Sequence, residues 1–237
     1  MKTLIVLPTY NEAKNIREVI DKILKFDFVD ILVVDDNSPD GTSEIVKGII
    51  KEEKRVNLIE RPRKLGLGTA YISGFKWGLK RNYNYFFEMD ADLSHDPLEI
   101  PNFLKKIEEG YDLVVGSRYI NNTISVVGWD FKRLLLSKFA NWYARKILGV
   151  DFSDITSGYR AYSKKALEKV DLNSIKSNGY AFQIEMLYWA IKLGLKVTEI
   201  PIIFYERNSG SSKMSKKIAL EAAIMVWKLR FDKLKKR

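Results

Sequence analysis

Short unbroken apolar runs alternate with helical patterns through the first half of the chain, and that alternation leaves few folds open. Leu4-Ile5-Val6-Leu7 ends at Pro8, and Ile16, Val19, Ile20, Ile23 and Leu24 follow at helical spacing. Ile31-Leu32-Val33-Val34 stops at Asp35-Asp36, and the turn Ser38-Pro39-Asp40-Gly41 opens the next helix. Val56-Asn57-Leu58-Ile59 precedes the basic loop Arg61-Pro62-Arg63-Lys64 and a helix around residues 70–80. Tyr85-Phe86-Phe87-Glu88-Met89 and Leu113-Val114-Val115 bracket a helix near residues 97–108, which Asp96-Pro97 would cap. Runs of this kind, without strict apolar–polar alternation, suit a sheet buried on both faces. Strands separated by helices require right-handed crossovers, so the sequence predicts an α/β fold with a mostly parallel central sheet.

After residue 118 the pattern loosens. Residues 131–148 read as a helix rich in aromatic and basic side chains, with two more helices near 163–170 and 180–193. Lys196-Val197-Thr198-Glu199-Ile200 leads into an apolar run ending at Tyr205, and a last helix starts near Lys216. On that helix Leu220, Ile224, Trp227, Phe231 and Leu234 share one face, while Lys217, Glu221, Lys228, Asp232 and Lys235 form a charged stripe. No linker interrupts the chain. Residues 1–215 therefore read as one domain with halves 1–118 and 119–215, followed by a basic amphipathic helix over 216–237.

Charge divides at the same place. The chain of 237 residues carries a net +10. Residues 1–118 hold 18 Lys and Arg against 20 Asp and Glu, whereas residues 119–237 hold 22 against 10. The excess in the second half serves solubility or meets a phosphate-bearing partner; no nucleic-acid motif accompanies it. The absence of cysteine excludes disulfides, thiolate metal sites and a cysteine nucleophile. A single histidine, His95, argues against a histidine-rich metal site or a Ser-His-Asp triad. No run approaches the roughly 18–20 apolar residues that span a bilayer, and the first apolar run is too short for a signal peptide. The expectation is a protein in the cytoplasm or on a cytoplasmic membrane surface.

Ligands of open parallel sheets bind beyond the carboxyl ends of the strands. Three such ends carry polar groups here: Thr9-Tyr10-Asn11-Glu12, Asp35-Asp36-Asn37-Ser38 and Asp90-Ala91-Asp92. Carboxylates gathered there repel one another unless a cation compensates, and a divalent ion such as Mg²⁺ or Mn²⁺ holding a diphosphate would do so. With 15 aspartates in the chain, a lone D-x-D motif carries no weight; its position at the end of a strand does, against the alternative of helix-capping aspartates in an exposed turn. Gly66-Leu67-Gly68 could approach a phosphate or be a flexible turn, and it lacks P-loop spacing. Arg118, Lys132, Arg133, Lys138, Arg207 and Lys213 supply cations in the second half, either for phosphate or as ordinary surface charge. The helix over 131–148 and the basic tail after residue 232 suit contact with an anionic membrane as well as core packing.

Several ordered blocks resemble a known family. Leu7-Pro8-Thr9-Tyr10-Asn11-Glu12, Val33 to Thr42, Leu65 to Tyr71 and Met89-Asp90-Ala91-Asp92-Leu93-Ser94-His95 look like the dolichyl-phosphate mannosyltransferase branch of the inverting GT-A glycosyltransferases. Gly116-Ser117-Arg118-Tyr119, Gly128-Trp129, Thr156 to Arg160 and Gly210 to Lys213 continue the match, which spans residues 4–213. The likeness is to the single-domain form without transmembrane helices, and it implies a Rossmann-like GT-A fold. It implies that Pro8, Tyr10, Glu12 and Asp36, with Gly68, hold the donor nucleotide. Asp90 and Asp92 would reach the diphosphate and its Mg²⁺ or Mn²⁺. Arg118, Arg133 and Ser137 would receive the acceptor phosphate, and Arg207 and Lys213 would close over the charged groups. Asp92, Arg118, Arg207 and Lys213 are the implied catalytic set. Some members have a glutamine metal ligand two residues after the D-x-D motif; here that residue is Ser94, which leaves the position to water.

The implied reaction is mannose transfer from GDP-mannose to dolichyl or polyprenyl phosphate with inversion. It needs no general base, because a lipid phosphate is already anionic near neutral pH, so the scarcity of histidine is no obstacle. Two other readings stay open: a UDP-glucose-dependent enzyme acting on the same kind of lipid, and a non-catalytic nucleotide-sugar-binding subunit. The cytoplasmic face of a membrane and small membrane subunits are the partners this resemblance brings.

Overall fold

The computed structural model describes residues 2–206 and 216–231, with the side chains of the last helix described from residue 222 onward. In the first half, β1 (Thr3–Thr9), β2 (Val29–Asp35), β3 (Val56–Glu60) and β4 (Tyr85–Glu88) pair in parallel, linked by α1 (Ile16–Ile23), α2 (Thr42–Glu52) and α3 (Leu67–Leu79). Next come α4 (Ile100–Glu108), β5 (Leu113–Ser117), the short β6 (Val126–Val127) and α5 (Phe131–Leu148). The chain ends in β7 (Arg160–Ser163), α6 (Lys164–Lys169), α7 (Tyr180–Lys192), β8 (Val197–Pro201), β9 (Phe204–Tyr205) and α8 (Lys216–Phe231). One seven-stranded sheet, ordered β3-β2-β1-β4-β7-β5-β8, crosses the residue-118 boundary, and β6 pairs separately with β9.

The unbroken apolar runs are buried on both faces, as their composition requires. Leu4 and Val6 face one core cluster with Phe75, Phe86 and Phe182; Ile5 and Leu7 face another with Ile16, Val46 and Phe103. Helix α3 lies close to β1 because Gly74 has no side chain: a Cβ there would stand 2.5 Å from Val6 Cγ1. The predicted α/β fold with a mostly parallel sheet is the fold observed.

Two features depart from the sequence reading. Strand β7, which the reading lacks, runs antiparallel between β4 and β5. It has no apolar run to announce it, and it begins with Arg160, a fully buried side chain that donates to the carbonyls of Ser157, Gln183 and Ile155 at 2.7–2.9 Å. The second departure is the packed face of α8. Val226 and Leu229 are buried, whereas Ile224, Trp227 and Phe231, on the predicted apolar face, are exposed. Apolar residues surround this helix on more than one side, so small ones such as Ala222 and Ala223 decide which face approaches its neighbours. Residues 232–237, including Leu234 and the basic tail, lie outside the described residues.

Candidate active site

The loops after β1 and β2 are stitched together by their own side chains. Asp35 accepts from the hydroxyls of Thr9 and Ser38, both at 2.6 Å, and from the Ser38 backbone N–H at 2.8 Å. Ser38 Oγ and Thr42 Oγ1 in turn accept from the backbone N–H groups of Asn11 and Glu12, each at 3.0 Å. Asp36 is paired with Arg61 and accepts from the N–H groups of Leu65 and Gly66 at 3.0 and 3.2 Å. Its carboxylate thus anchors the glycine turn that precedes α3. Lys64 lies over the Tyr10 ring, 4.0 Å from its centroid.

Beyond β4, Asp90 and Asp92 share a tight loop in which Leu93 takes a positive φ of 66°. His95 Nδ1 accepts from the Asp90 N–H at 3.0 Å, which places the imidazole proton on Nε2. His95 stacks on Tyr159 with centroids 4.8 Å apart. Ser94 donates through N–H and Oγ to Asp92 Oδ1 at 3.1 and 2.5 Å, which fixes that carboxylate from one side. Glu88, two residues upstream, is fully buried; desolvation pushes its carboxyl up to about 7, against the opposing pull of Arg160. Tyr162 and Gln183 face the same carboxyl and, as hydrogen-bonding side chains, also oppose the shift.

Arg118 follows β5 and is held by a buried carboxylate. Its Nε and Nη2 donate to Asp154 Oδ2 and Oδ1 at 2.6 and 2.8 Å, and Nη2 also reaches Thr156 Oγ1 at 2.9 Å. Burial opposes the guanidinium charge, yet the Asp154 carboxylate holds its pKa above the ordinary arginine value. Burial likewise opposes ionisation of Asp154, and Arg118 keeps that carboxyl below its usual range. Arg133, on the first turn of α5, lies 4.1 Å from the Trp129 ring centroid and pairs with Glu206 at 2.9 Å.

These strand ends open onto a cavity of about 250 Å³. Pro8, Tyr10, Glu12, Asp36, Asp90, Asp92, Arg118 and Arg133 all line it. Eight of the sequence-selected residues therefore meet in one place. A second cavity of about 180 Å³ shares Arg118, Trp129, Arg133, Thr156 and Tyr180 with the first and continues between α5, α7 and α8 over mainly apolar side chains. Ser137 lines this second cavity and accepts from Tyr119 OH at 2.7 Å. Gly68 lines neither: a Cβ there would lie 2.7 Å from the Ser177 carbonyl oxygen and 2.8 Å from the Phe182 ring, so its bareness serves close packing against α7. Arg207 and Lys213 lie outside the described residues. Sequence reasoning missed Asp154, Lys64 and Gln183. A buried arginine demands a buried carboxylate, which is the one signal that could have led to Asp154.

A parallel sheet with acidic strand ends, opening on a cavity walled by arginines, is the frame of a GT-A glycosyltransferase. The chain belongs to glycosyl transferase family 2, whose profile matches residues 4–171. It is 46% identical to a polyprenol monophosphomannose synthase of Mycolicibacterium smegmatis over 97% of this chain and 88% of that protein. It is 42% identical to an undecaprenyl-phosphate mannosyltransferase of Micrococcus luteus over 95% of this chain and 93% of the relative. The fold is shared with glucosyl-3-phosphoglycerate synthase from Mycobacterium tuberculosis, solved with Mn²⁺, UDP-glucose and phosphoglyceric acid, at a TM-score of 0.70 and 20% identity over 97% of this chain and 79% of that one.

Proposed function

We propose that this chain transfers mannose from GDP-mannose to the phosphate of dolichol or another polyprenol, with inversion at C1. The observation that carries the reading is the junction of the two cavities. A chamber into which Asp90 and Asp92 are set meets a more apolar groove at Arg118 and Arg133. A ligand filling both needs an anionic head and an apolar body, as a polyprenyl phosphate has. The names of the two bacterial relatives support the same acceptor class and the mannosyl group.

In this reading Pro8, Tyr10, Glu12 and Asp36 hold the nucleotide. Asp90 and Asp92 form a hard-oxygen pair that suits Mg²⁺ or Mn²⁺, with diphosphate and water oxygens as the remaining donors. Among the described residues no larger acidic or histidine cluster competes for the ion. A divalent cation, when bound, supplies Lewis-acid stabilisation to the leaving diphosphate. Arg118 and Arg133 orient the acceptor phosphate, one of whose oxygens attacks C1 of the sugar. The new C1–O bond forms as the C1–O bond to GDP breaks, and the electron pair departs on the β-phosphate oxygen. Asp154 keeps Arg118 in place, so the phosphate meets a preset donor. Ser137, Arg207 and Lys213 belong to the same acceptor and closure roles.

Peripheral docking on the cytoplasmic face of a membrane accompanies this chemistry. Phe131, Leu135, Phe139 and Trp142 of α5 and Ile224, Trp227 and Phe231 of α8 are exposed beside the apolar groove. No helix among the described residues is long and apolar enough to cross a bilayer. The test is incubation of purified protein with GDP-mannose, a short polyprenyl phosphate and Mg²⁺ or Mn²⁺ in detergent, scored for mannosylated lipid and released GDP. Lipid product from UDP-glucose alone would overturn the mannosyl assignment, and no lipid product from either donor would overturn the transferase reading.

A further inference from the structure

We infer that Asn141 is a positioning residue for the acceptor phosphate: it fixes the half of α5 that carries Arg133 and Ser137 relative to Arg118. The inference rests on the transferase reading above, in which those three side chains meet the phosphate. Arg118 follows β5 and is tied to Asp154 and Thr156, whereas Arg133 and Ser137 ride on α5. Two separate segments must therefore be held in register. From Phe131 to Ala140 no residue of α5 is buried; Asn141 is the first that is, at 3% exposed. The contacts closer to Arg133, its pair with Glu206 and the Tyr119–Ser137 bond, are partly exposed.

Asn141 Oδ1 accepts from the Ile155 N–H at 2.9 Å, and its Nδ2 donates to Thr156 Oγ1 at 3.1 Å and to the Ser137 carbonyl at 3.0 Å. The last bond lies within α5 and orients the amide; the other two cross to the loop before β7. Thr156 Oγ1 also accepts from Arg118 Nη2 at 2.9 Å and donates to Asp154 Oδ1 at 3.1 Å, which fills the capacity of a hydroxyl. One hydroxyl thus links the Arg118 guanidinium to the Asn141 amide. The loop is in turn fixed to the sheet: Glu199 of β8 accepts from the N–H groups of Ser153 and Asp154 at 2.6 and 2.8 Å. Asn141 therefore joins α5 to the frame that already holds Arg118. Removing its amide leaves the N–H of the fully buried Ile155 without its acceptor. It also frees the Arg133 end of α5 to shift, and a misplacement of about 1 Å can cost on the order of 100-fold in rate.

The experiment compares wild type with Asn141→Leu, which nearly keeps the shape and removes the polarity, and with Asn141→Ser as the second variant should the first fail to fold. The transfer assay gives KM for each substrate, and titration calorimetry with Mn²⁺ gives the affinities of GDP and geranyl phosphate. The expected result is a KM for polyprenyl phosphate raised, and a geranyl phosphate affinity lowered, about tenfold, with GDP affinity within about twofold of wild type. In an Arg133→Gln background the same substitution should cost no more than about twofold, because the cation it positions is gone. A lowered melting temperature with unchanged acceptor KM would mark a merely structural residue and overturn the inference, as would equal losses in the two backgrounds. If wild type makes no lipid product from GDP-mannose or UDP-glucose, the transferase reading falls and geranyl phosphate decides separately. Affinity lost with the variant then leaves Asn141 as a positioning residue for a bound phosphate; affinity unchanged by the variant, or absent in wild type, overturns it.

Discussion

The loops after β1 and β2 and the helices α5 and α8 enclose the two joined cavities from different sides, and they are built in opposite ways. In the loops the carboxylates are answered internally: Asp35 by Thr9 and Ser38, Asp36 by Arg61 and the Leu65–Gly66 backbone, Asp40 by Thr42 and Ala13. In the helices the apolar side chains turn outward, with Phe131 71% and Phe231 74% exposed. Small or polar residues, Asn141 and Ala144 among them, take the buried face of α5. The first region is ordered before any ligand arrives, which lowers the cost of binding one there. The second leaves apolar surface that a lipid would cover.

The largest effect should come from the polar side. Asp92→Asn is expected to cut kcat/KM for transfer by at least about 10³-fold with little change in melting temperature. Turnover near the wild-type rate with added Mg²⁺ or Mn²⁺ would remove Asp92 from the metal assignment. Asp154→Ala tests whether the acceptor side is also preset in part. It leaves Arg118 buried without its counter-charge, and urea denaturation should show a loss of about 3–5 kcal/mol. A loss below about 1 kcal/mol would mean that the pair does not organise that wall.

Acidity separates the two sides further. The Glu88 carboxyl is raised from 4.5 to about 7, so within that window the folded chain keeps a proton that the unfolded chain has released. Stability therefore falls as pH rises through it. Glu88→Gln should abolish this slope and gain up to about 3 kcal/mol near pH 8, measured by denaturation near pH 5 and pH 8. Asp154 has the opposite sign: its folded pKa is depressed. Its contribution is present above the unfolded value and lost as falling pH passes through the folded one. The smallest effect on stability belongs to the outward face. Phe139→Ser with Trp142→Ser should change stability by no more than about 0.5 kcal/mol, yet reduce flotation with anionic vesicles several-fold. Unchanged flotation would sever these side chains from the membrane.

The sequence made β1, β2 and β4 legible because their apolar runs are unbroken, and it located Asp90 and Asp92 because such a run leads straight into them. Strand β7 was illegible for the converse reason: Arg160 to Ser163 form no apolar run, and the buried Arg160 that opens the strand is one that no hydropathy pattern marks as interior. The Arg118–Asp154 pair spans 36 positions and leaves no local period. Gln183 is hidden in α7, where buried residues occur on every side and one polar residue gives no direction. The exposed faces of α5 and α8 were visible as aromatic stripes, but periodicity alone does not say whether a stripe points inward.

The antiparallel insertion of β7 acts as a ruler. Arg160 pairs with Glu88 on one side and with Val115 on the other, so a single extra strand separates the chain that leads to Asp90 and Asp92 from the chain that leads to Arg118. Two strand spacings amount to roughly 9–10 Å, a separation set by backbone hydrogen bonds of the sheet and not by the loops themselves. The distance between the Asp90–Asp92 loop and the Arg118 loop is thereby written into the strand order, at a depth where loop changes cannot reach it.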